Sequence, residues 1–320
     1  MINFNQLRVF YHAARYQNYT VASKKLCITQ PAVTAQVKLF EDHCNLRLFK
    51  KKGRKVYLTD QGKTLYEYAK KVFEYEKEID DLIEDMRELK FGVLRLGTTK
   101  TYARYFMPYL ISGFHEIYPK IKINLDEGSS LDMIYSLLDF RNEIAIIARA
   151  EDNPDICFTP FSQEELVFLV APGHRLAQKK LVAFKELVEE PIIMKETGSG
   201  TRKLVNELFA RNDCVPDVLM ETSNAEFIKQ LVQRGEGVSF LVREAVVPEL
   251  REGKLVAVPI HGQKIFLEVS IAYLKDQHLS PPARAFLDIL GTLAPADMSP
   301  KGIGALMAKM QAKRRRTGDS

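Results

Sequence analysis

Long apolar runs are missing from this chain of 320 residues. No window approaches the length of about 18 uninterrupted apolar residues that a membrane-spanning helix needs. The opening stretch, MINFNQLRVFYHAARYQNYT, has no charged n-region, apolar core or small-residue cleavage site. No signal peptide is read there, and the expected compartment is the cytoplasm. Cysteine is sparse: Cys27, Cys44, Cys157 and Cys214 are scattered, with no C-x-x-C. Neither a disulfide framework nor a zinc site is expected, and the thiols are expected to be reduced. Catalytic constellations are missing too. The histidines form no H-E-x-x-H cluster, Ser199 lies in G-S-G rather than G-x-S-x-G, and no carboxylate pair stands out. The glycine-rich TGSGTR lacks the G-x-x-x-x-G-K-[ST] spacing of a nucleotide loop. No enzyme, cofactor or metal is expected.

Charge is present but uneven. Residues 1–60 hold 11 Lys/Arg against 3 Asp/Glu, and residues 297–320 hold 6 against 2. The middle, 61–296, is acidic, with 29 against 36. A basic N-terminal unit on an acidic body points to a polyanion partner for that unit.

Within it, Leu7, Phe10, Tyr11 and Ala14 recur at helical spacing. A second helix is expected from Val21 to Leu26, with Thr20 as its cap. After a tight turn at CIT, a third is expected from Thr29, its cap, to about His43, with Pro31 in the first turn, where a missing N–H costs nothing. Val33, Val37 and Phe40 would face inward. Gln30, Thr34, Gln36 and Lys38 would face outward: glutamine can bond an adenine edge, threonine can touch a base or a thymine methyl, and lysine can meet phosphate. Helix, short turn, helix is the shape of a helix-turn-helix. The basic run KKKGRK then reads as a hairpin tip, with Lys52 and Arg54 placed to meet the backbone or enter a minor groove.

These residues resemble the LysR-type transcriptional regulators. The matching positions are Ala22, Leu26, TQPAVT, QVKLFE, Leu46, LF at 48–49, Gly53 and LTDQG at 58–62. Ala35 stands where the family usually has arginine, so no operator preference is carried over. The resemblance implies a winged helix-turn-helix over 1–59, with Thr29, Gln30, Pro31, Thr34, Gln36, Lys38, Lys52 and Arg54 on double-stranded promoter DNA. It also implies RNA polymerase as a further partner.

From Leu65 the residues Tyr68, Val72, Tyr75, Ile79, Leu82, Met86 and Leu89 follow at alternating spacings of three and four. This is a heptad seam with charges between. A lone helix would expose it to water, so a linker helix over 60–90 is expected to pair two chains through residues 65–89. The family's linker helix lies here.

Beyond residue 91, strand and helix alternate: GVLRLGTT, a helix from about Tyr102 to Ile117, KINLDEGSS, a helix from about Leu131 to Phe140, then EIAIIA. The pattern restarts at ELVFLVAP and ends with FLEVSIAYLK and a closing helix. The expected class is α/β, a parallel sheet in two units resembling periplasmic binding proteins. The first unit would cover 91–161 and 268–296 and the second 162–267. The LysR resemblance extends here through EGSS, HRLA and VQRGEGVSFL, to about residue 294.

Ligands of such folds sit beyond the carboxyl ends of the strands. Those ends offer Thr99, Lys100 and Thr101; Ser129 and Ser130; Arg149; Gly198, Ser199, Thr201 and Arg202; and Asn224. Hydroxyls and amides converging at helix N-termini suit a small anion. For each hydroxyl an N-cap role is the competing explanation. TTKTYAR resembles the cysteine-biosynthesis regulators, and ETGSGTR those of carbon fixation or sulfite metabolism. By that resemblance Thr99, Thr101 and Ser199 contact the effector. The reading is a DNA-binding regulator controlled by a small anion and assembled as a homodimer and homotetramer. Two alternatives stand beside it: a solute-binding protein with no DNA role, and a redox-responsive regulator, for which Cys157 and Cys214 lie far apart. The tail, 297–320, is expected to be basic and disordered.

Overall fold

The computed structural model describes residues 1–52 and 55–293. They form two compact units, one ending at Arg87 and the other starting at Glu88. The tail 297–320 and Arg54 lie outside the described residues, and Lys52 is placed by its backbone alone.

The first unit opens with α1 (Phe4–Tyr16), α2 (Tyr19–Lys25) and α3 (Gln30–Cys44). Each begins where a short polar side chain takes up first-turn amides. Asn3 Oδ1 accepts from Asn5 and Gln6, and Thr29 Oγ1 from Ala32 at 3.3 Å. Helix α2 differs from the expectation. Its cap is Asn18, whose Oδ1 accepts from Thr20 and Val21, so the helix starts earlier than a Thr20 cap would allow. Asparagine is the stronger of two adjacent capping candidates. Val33, Val37 and Phe40 are buried as expected, and the Phe10 ring packs on Phe40 and Phe49.

Strands β1 (Phe49–Lys52) and β2 (Lys55–Leu58) pair antiparallel as the wing. Glu41, nearly buried at the end of α3, fixes its base by accepting from the backbone N–H of Leu48 and Phe49. Helix α4 (Asp60–Arg87) packs Leu65, Tyr66, Ala69 and Phe73 on the same core. Beyond that its seam is bare: Tyr68, Tyr75, Ile79, Leu82 and Met86 are exposed. The helix stops before Leu89, which has a positive φ and packs in the second unit instead of ending the heptads.

The second unit contains β3 (Val93–Thr99), α5 (Lys100–Tyr105), α6 (Met107–Ile117), β4 (Lys122–Gly128), α7 (Ser130–Leu138), β5 (Ile144–Ala148) and β6 (Ile156–Val170). It continues through α8 (Phe184–Val188), β7 (Ile192–Lys195), α9 (Gly200–Ala210), β8 (Val218–Thr222), α10 (Ala225–Gln233) and β9 (Ser239–Val242). It closes with α11 (Val247–Arg251), β10 (Val256–Ala257), β11 (Ile265–Leu274) and α12 (Pro281–Leu293). The single helix expected over 102–117 is two, broken at Phe106. Pro108 cannot donate to the carbonyl four residues back, and its ring crowds that turn.

The sheet is mixed rather than parallel throughout. In it β3 is parallel to β4 and β5, while β7 and β8 pair parallel as a separate two-stranded sheet. The late strand β11 runs antiparallel to both β5 and β6. Strand β6 also begins well before the expected Glu165. Its early part contains Pro160, tolerated because the ladder with β11 shifts register at Val269/Ser270, next to the Ser270–Pro160 pair. Strands β6 and β11 run through two cores. Phe161, Val269 and Ile271 pack with the first set of strands, and Leu166, Phe168, Ile265 and Leu267 with the second. Among the described residues no helix is long and apolar enough to cross a membrane.

Candidate functional site

On helix α3, Gln30, Pro31 and Lys38 are exposed and Thr34 is half-buried. Gln30 Nε2 donates to Thr34 Oγ1 at 2.9 Å, and that hydroxyl donates back to the Gln30 carbonyl at 3.3 Å. The pair is thereby ordered before any partner arrives. Gln36 does not join this face. Two positions beyond Thr34 it lies about 200° around the helix, half-buried on the far side of the Val33–Val37–Phe40 stripe. Thr29 keeps its acceptor side in the cap.

In the second unit, Thr99, Lys100, Thr101, Ser129, Ser130, Ser199 and Thr201 line one small cavity of about 20 Å³, together with Lys195 and Glu196. Residues from the ends of β3, β4 and β7 thus meet at the N-termini of α5, α7 and α9. The hydroxyls are not equivalent. Ser129 closes a capping box on α7, accepting from Asp132 N at 3.0 Å while Asp132 Oδ2 accepts from Ser129 N at 2.9 Å. Ser199 starts α9 but makes no side-chain cap bond, so the first-turn amides of that helix lack their usual acceptor. Thr99 likewise starts α5 without capping it. Ser130 Oγ is buried and has no hydrogen-bond partner among the described residues. Thr98, one residue before the cavity, is fully buried and donates to the Ile146 carbonyl, which ties β3 to β5.

One backbone bond ties the start of α7 to the loop before α9, beside the cavity. Leu131 N–H, in the first turn of α7, donates to the Gly198 carbonyl at 3.1 Å. Gly198 has φ +83°, and a Cβ there would lie 2.9 Å from Leu131 Cβ and 3.0 Å from Ser129 Oγ. The glycine serves close approach of two loops, not a phosphate cradle. A wider mouth of about 570 Å³ shares Lys100 and Thr101 with the cavity and adds Tyr105, Ser223, Asn224 and Glu226. Across it Lys100 Nζ donates to Ser223 Oγ at 2.7 Å, and Tyr105 Oη to Glu226 Oε1 at 2.7 Å.

Comparison with known proteins settles the kinship. The family described as "Bacterial regulatory helix-turn-helix protein, lysR family" matches residues 4–63, and "LysR substrate binding domain" matches residues 87–294. The chain belongs to the LysR family of transcriptional regulators. It is 34% identical over 286 residues to the HTH-type transcriptional activator CmpR of Synechocystis, covering 89% of this chain and 94% of CmpR. The regulatory domain of CcmR from Synechocystis PCC6803, solved in complex with 2-PG, is 30% identical. It superposes with a TM-score of 0.60, covering 64% of this chain and 98% of that one. A full-length OxyR variant from Pseudomonas aeruginosa reaches a TM-score of 0.73 at 23% identity, over 91% of this chain and 99% of that one, which shows the fold. These relatives regulate transcription and are not enzymes. The helix-turn-helix match sets aside a solute-binding protein without a DNA role.

In this LysR-type regulator three predicted effector residues stand apart from the cavity. Arg149 turns away to pair with Asp152 at 2.5 Å and to lie over the Phe158 ring. It lines a separate groove of about 480 Å³ with Lys203, Arg211 and Lys264. Arg202 is held by Glu221 at 2.6 Å and donates to the Lys195 carbonyl at 3.2 Å; the Glu221 bond raises its pKa above the ordinary arginine value. Asn224 caps α10, accepting from Glu226 and Phe227, and reaches only the mouth. A shared strand end places residues near one another, but a nearby acid or an empty first turn claims each side chain first.

Lys195, in contrast, was not among the predicted contacts and lines the cavity. It is 7% exposed, donates to the Ser223 carbonyl, and lies 3.1 Å from Glu196 Oε2. Burial pushes its pKa below the ordinary 10.5, Glu196 opposes the shift, and Lys100 adds to it. Its only sequence signal is that the apolar run of β7 ends in a lysine.

Proposed function

We propose that this regulator binds a promoter operator as an assembly of at least two chains and senses a small anion in the cavity at Thr99, Ser129, Ser130 and Ser199. The observation that carries the anion reading is the uncapped start of α9 beside the unpartnered Ser130 hydroxyl. Backbone amides and hydroxyls can donate there and a helix N-terminus favours negative charge, while Glu196 brings one carboxylate to the same lining, opposed by Lys195 and Lys100. The complex of CcmR with 2-PG makes 2-PG the first candidate effector. The cavity would lie between subdomains 91–161 with 268–296 and 162–267. Residues 65–89 would supply the dimer contact, within a homotetramer. The cytoplasm and contact with RNA polymerase belong to the same reading.

An effector acts on DNA only through different affinity for two arrangements of the protein. Ser199→Ala is therefore expected to weaken the response of operator binding to 2-PG by about tenfold, the worth of one hydrogen bond to a charged group. Effector-free operator affinity should be unchanged. Loss of operator binding without effector would show that Ser199 is needed for folding rather than sensing.

On the DNA side, Gln30→Ala is expected to cost about 1–3 kcal/mol of specific binding. Gel-shift titration against operator and unrelated duplex measures it. An unchanged ratio of the two affinities would remove Gln30 from base readout.

A further inference from the structure

We propose that Lys195 is the charge-recognition residue of the cavity: its buried ammonium bonds directly to the anion. The inference rests on the anion reading above and adds a residue and a proton linkage to it. An ammonium carries three donors. The Ser223 carbonyl takes one, and Glu196 faces a second as an ion pair at 3.1 Å, its Oε2 making no hydrogen bond. The third has no acceptor among the described residues, although the side chain is 7% exposed and lines the cavity. Leaving a buried donor of a charged group unused is costly. The Ser130 hydroxyl, also buried and also unpartnered, lines the same space. A spare ammonium donor and the Ser130 hydroxyl in one lining suit a ligand bearing several acceptor oxygens, held clear of the Glu196 carboxylate, whose Oε2 is also buried there without a hydrogen bond.

The charges around Lys195 make its state depend on that ligand. Glu196 faces it from its own loop and Lys100 from α5. Arg202, from α9, is neutralised by Glu221 of β8. One carboxylate is thus shared against two lysines, and burial already disfavours the charged form. A bound anion restores the ammonium. Binding near the lowered pKa takes up a proton from solvent, and affinity falls as pH rises through that range towards 10.5.

The test is calorimetric titration of the full-length protein with 2-PG, and with sulfate as an anion of fixed charge. It is run from neutral to alkaline pH in buffers of different ionisation heat. Wild type is expected to bind with proton uptake that grows with pH. Lys195→Gln should bind about 10- to 100-fold more weakly and lose the uptake. Lys195→Arg, which does not titrate in this range, should retain binding but lose the pH dependence. A purely structural lysine would not move the proton count. Wild-type binding that Lys195→Gln retains with the same proton uptake overturns the role of Lys195 alone. If wild type binds neither 2-PG nor sulfate, the anion reading itself fails.

Discussion

Gly62→Ala is expected to destabilise the DNA-binding unit by about 3 kcal/mol, the upper end of ordinary overpacking. A Cβ at this position would lie 2.1 Å from the Leu48 carbonyl oxygen and 3.0 Å from Leu58 Cδ2. The first contact is with backbone, which cannot rotate aside. That carbonyl is also in use: it accepts from Thr59 N at 2.9 Å, while Thr59 Oγ1 donates to Arg47 O and accepts from Gly62 N. The start of α4 is stitched to the base of the wing through these bonds, so the methyl group must break several of them to fit. Urea unfolding should show the loss, and operator affinity should fall with it. A change below about 0.5 kcal/mol, the scatter of a neutral surface substitution, would mean that the helix start can shift freely.

The paired substitution Ile79→Asp and Leu82→Asp is expected to abolish dimerisation. Both side chains are exposed on α4, at 57% and 44%, within the stripe from Tyr68 to Met86. Covering a large apolar side chain is worth about 1.5–3 kcal/mol. Replacing two on each of two chains removes several such contacts and sets carboxylates against each other. Sedimentation should shift to the monomer. Operator affinity should drop by about 100-fold or more, because paired heads bind with the advantage of linkage. A double variant that still sediments as the parent would place the dimer contact elsewhere.

Much of this was legible before any coordinates. The Thr29 cap, the early Pro31 and the inward Val33, Val37 and Phe40 are local signals, and α3 follows them. The seam of α4 is legible for the same reason, up to Leu89, where a residue of positive φ ends the helical register. Strand direction is not local. The antiparallel placement of β11 depends on partners about a hundred residues away, which no periodicity reports. The site divides along the same line. Ser130 and Ser199 reach the cavity because backbone alone carries them there. Arg149 and Arg202 have long side chains, and Asp152 and Glu221 claim them. Lys195 escaped because burial of a strand-terminal lysine depends on the neighbouring loop at Ser223, not on its own surroundings in the chain.

If the cavity senses an anion as proposed, the bond from Leu131 to Gly198 bears on how fast it does so. A space of about 20 Å³ holds a water molecule but no organic anion. On the anion reading, such a ligand reaches Ser130 only if the lining residues move, and parting of the Leu131–Gly198 pair would be one such movement. The ligand's arrival would then be governed by how often the loops part, and the observed rate would level off at high ligand concentration instead of rising without limit. Apparent affinity would also be discounted by the fraction of molecules that stand open. On that reading the regulator would follow sustained effector levels more closely than brief pulses.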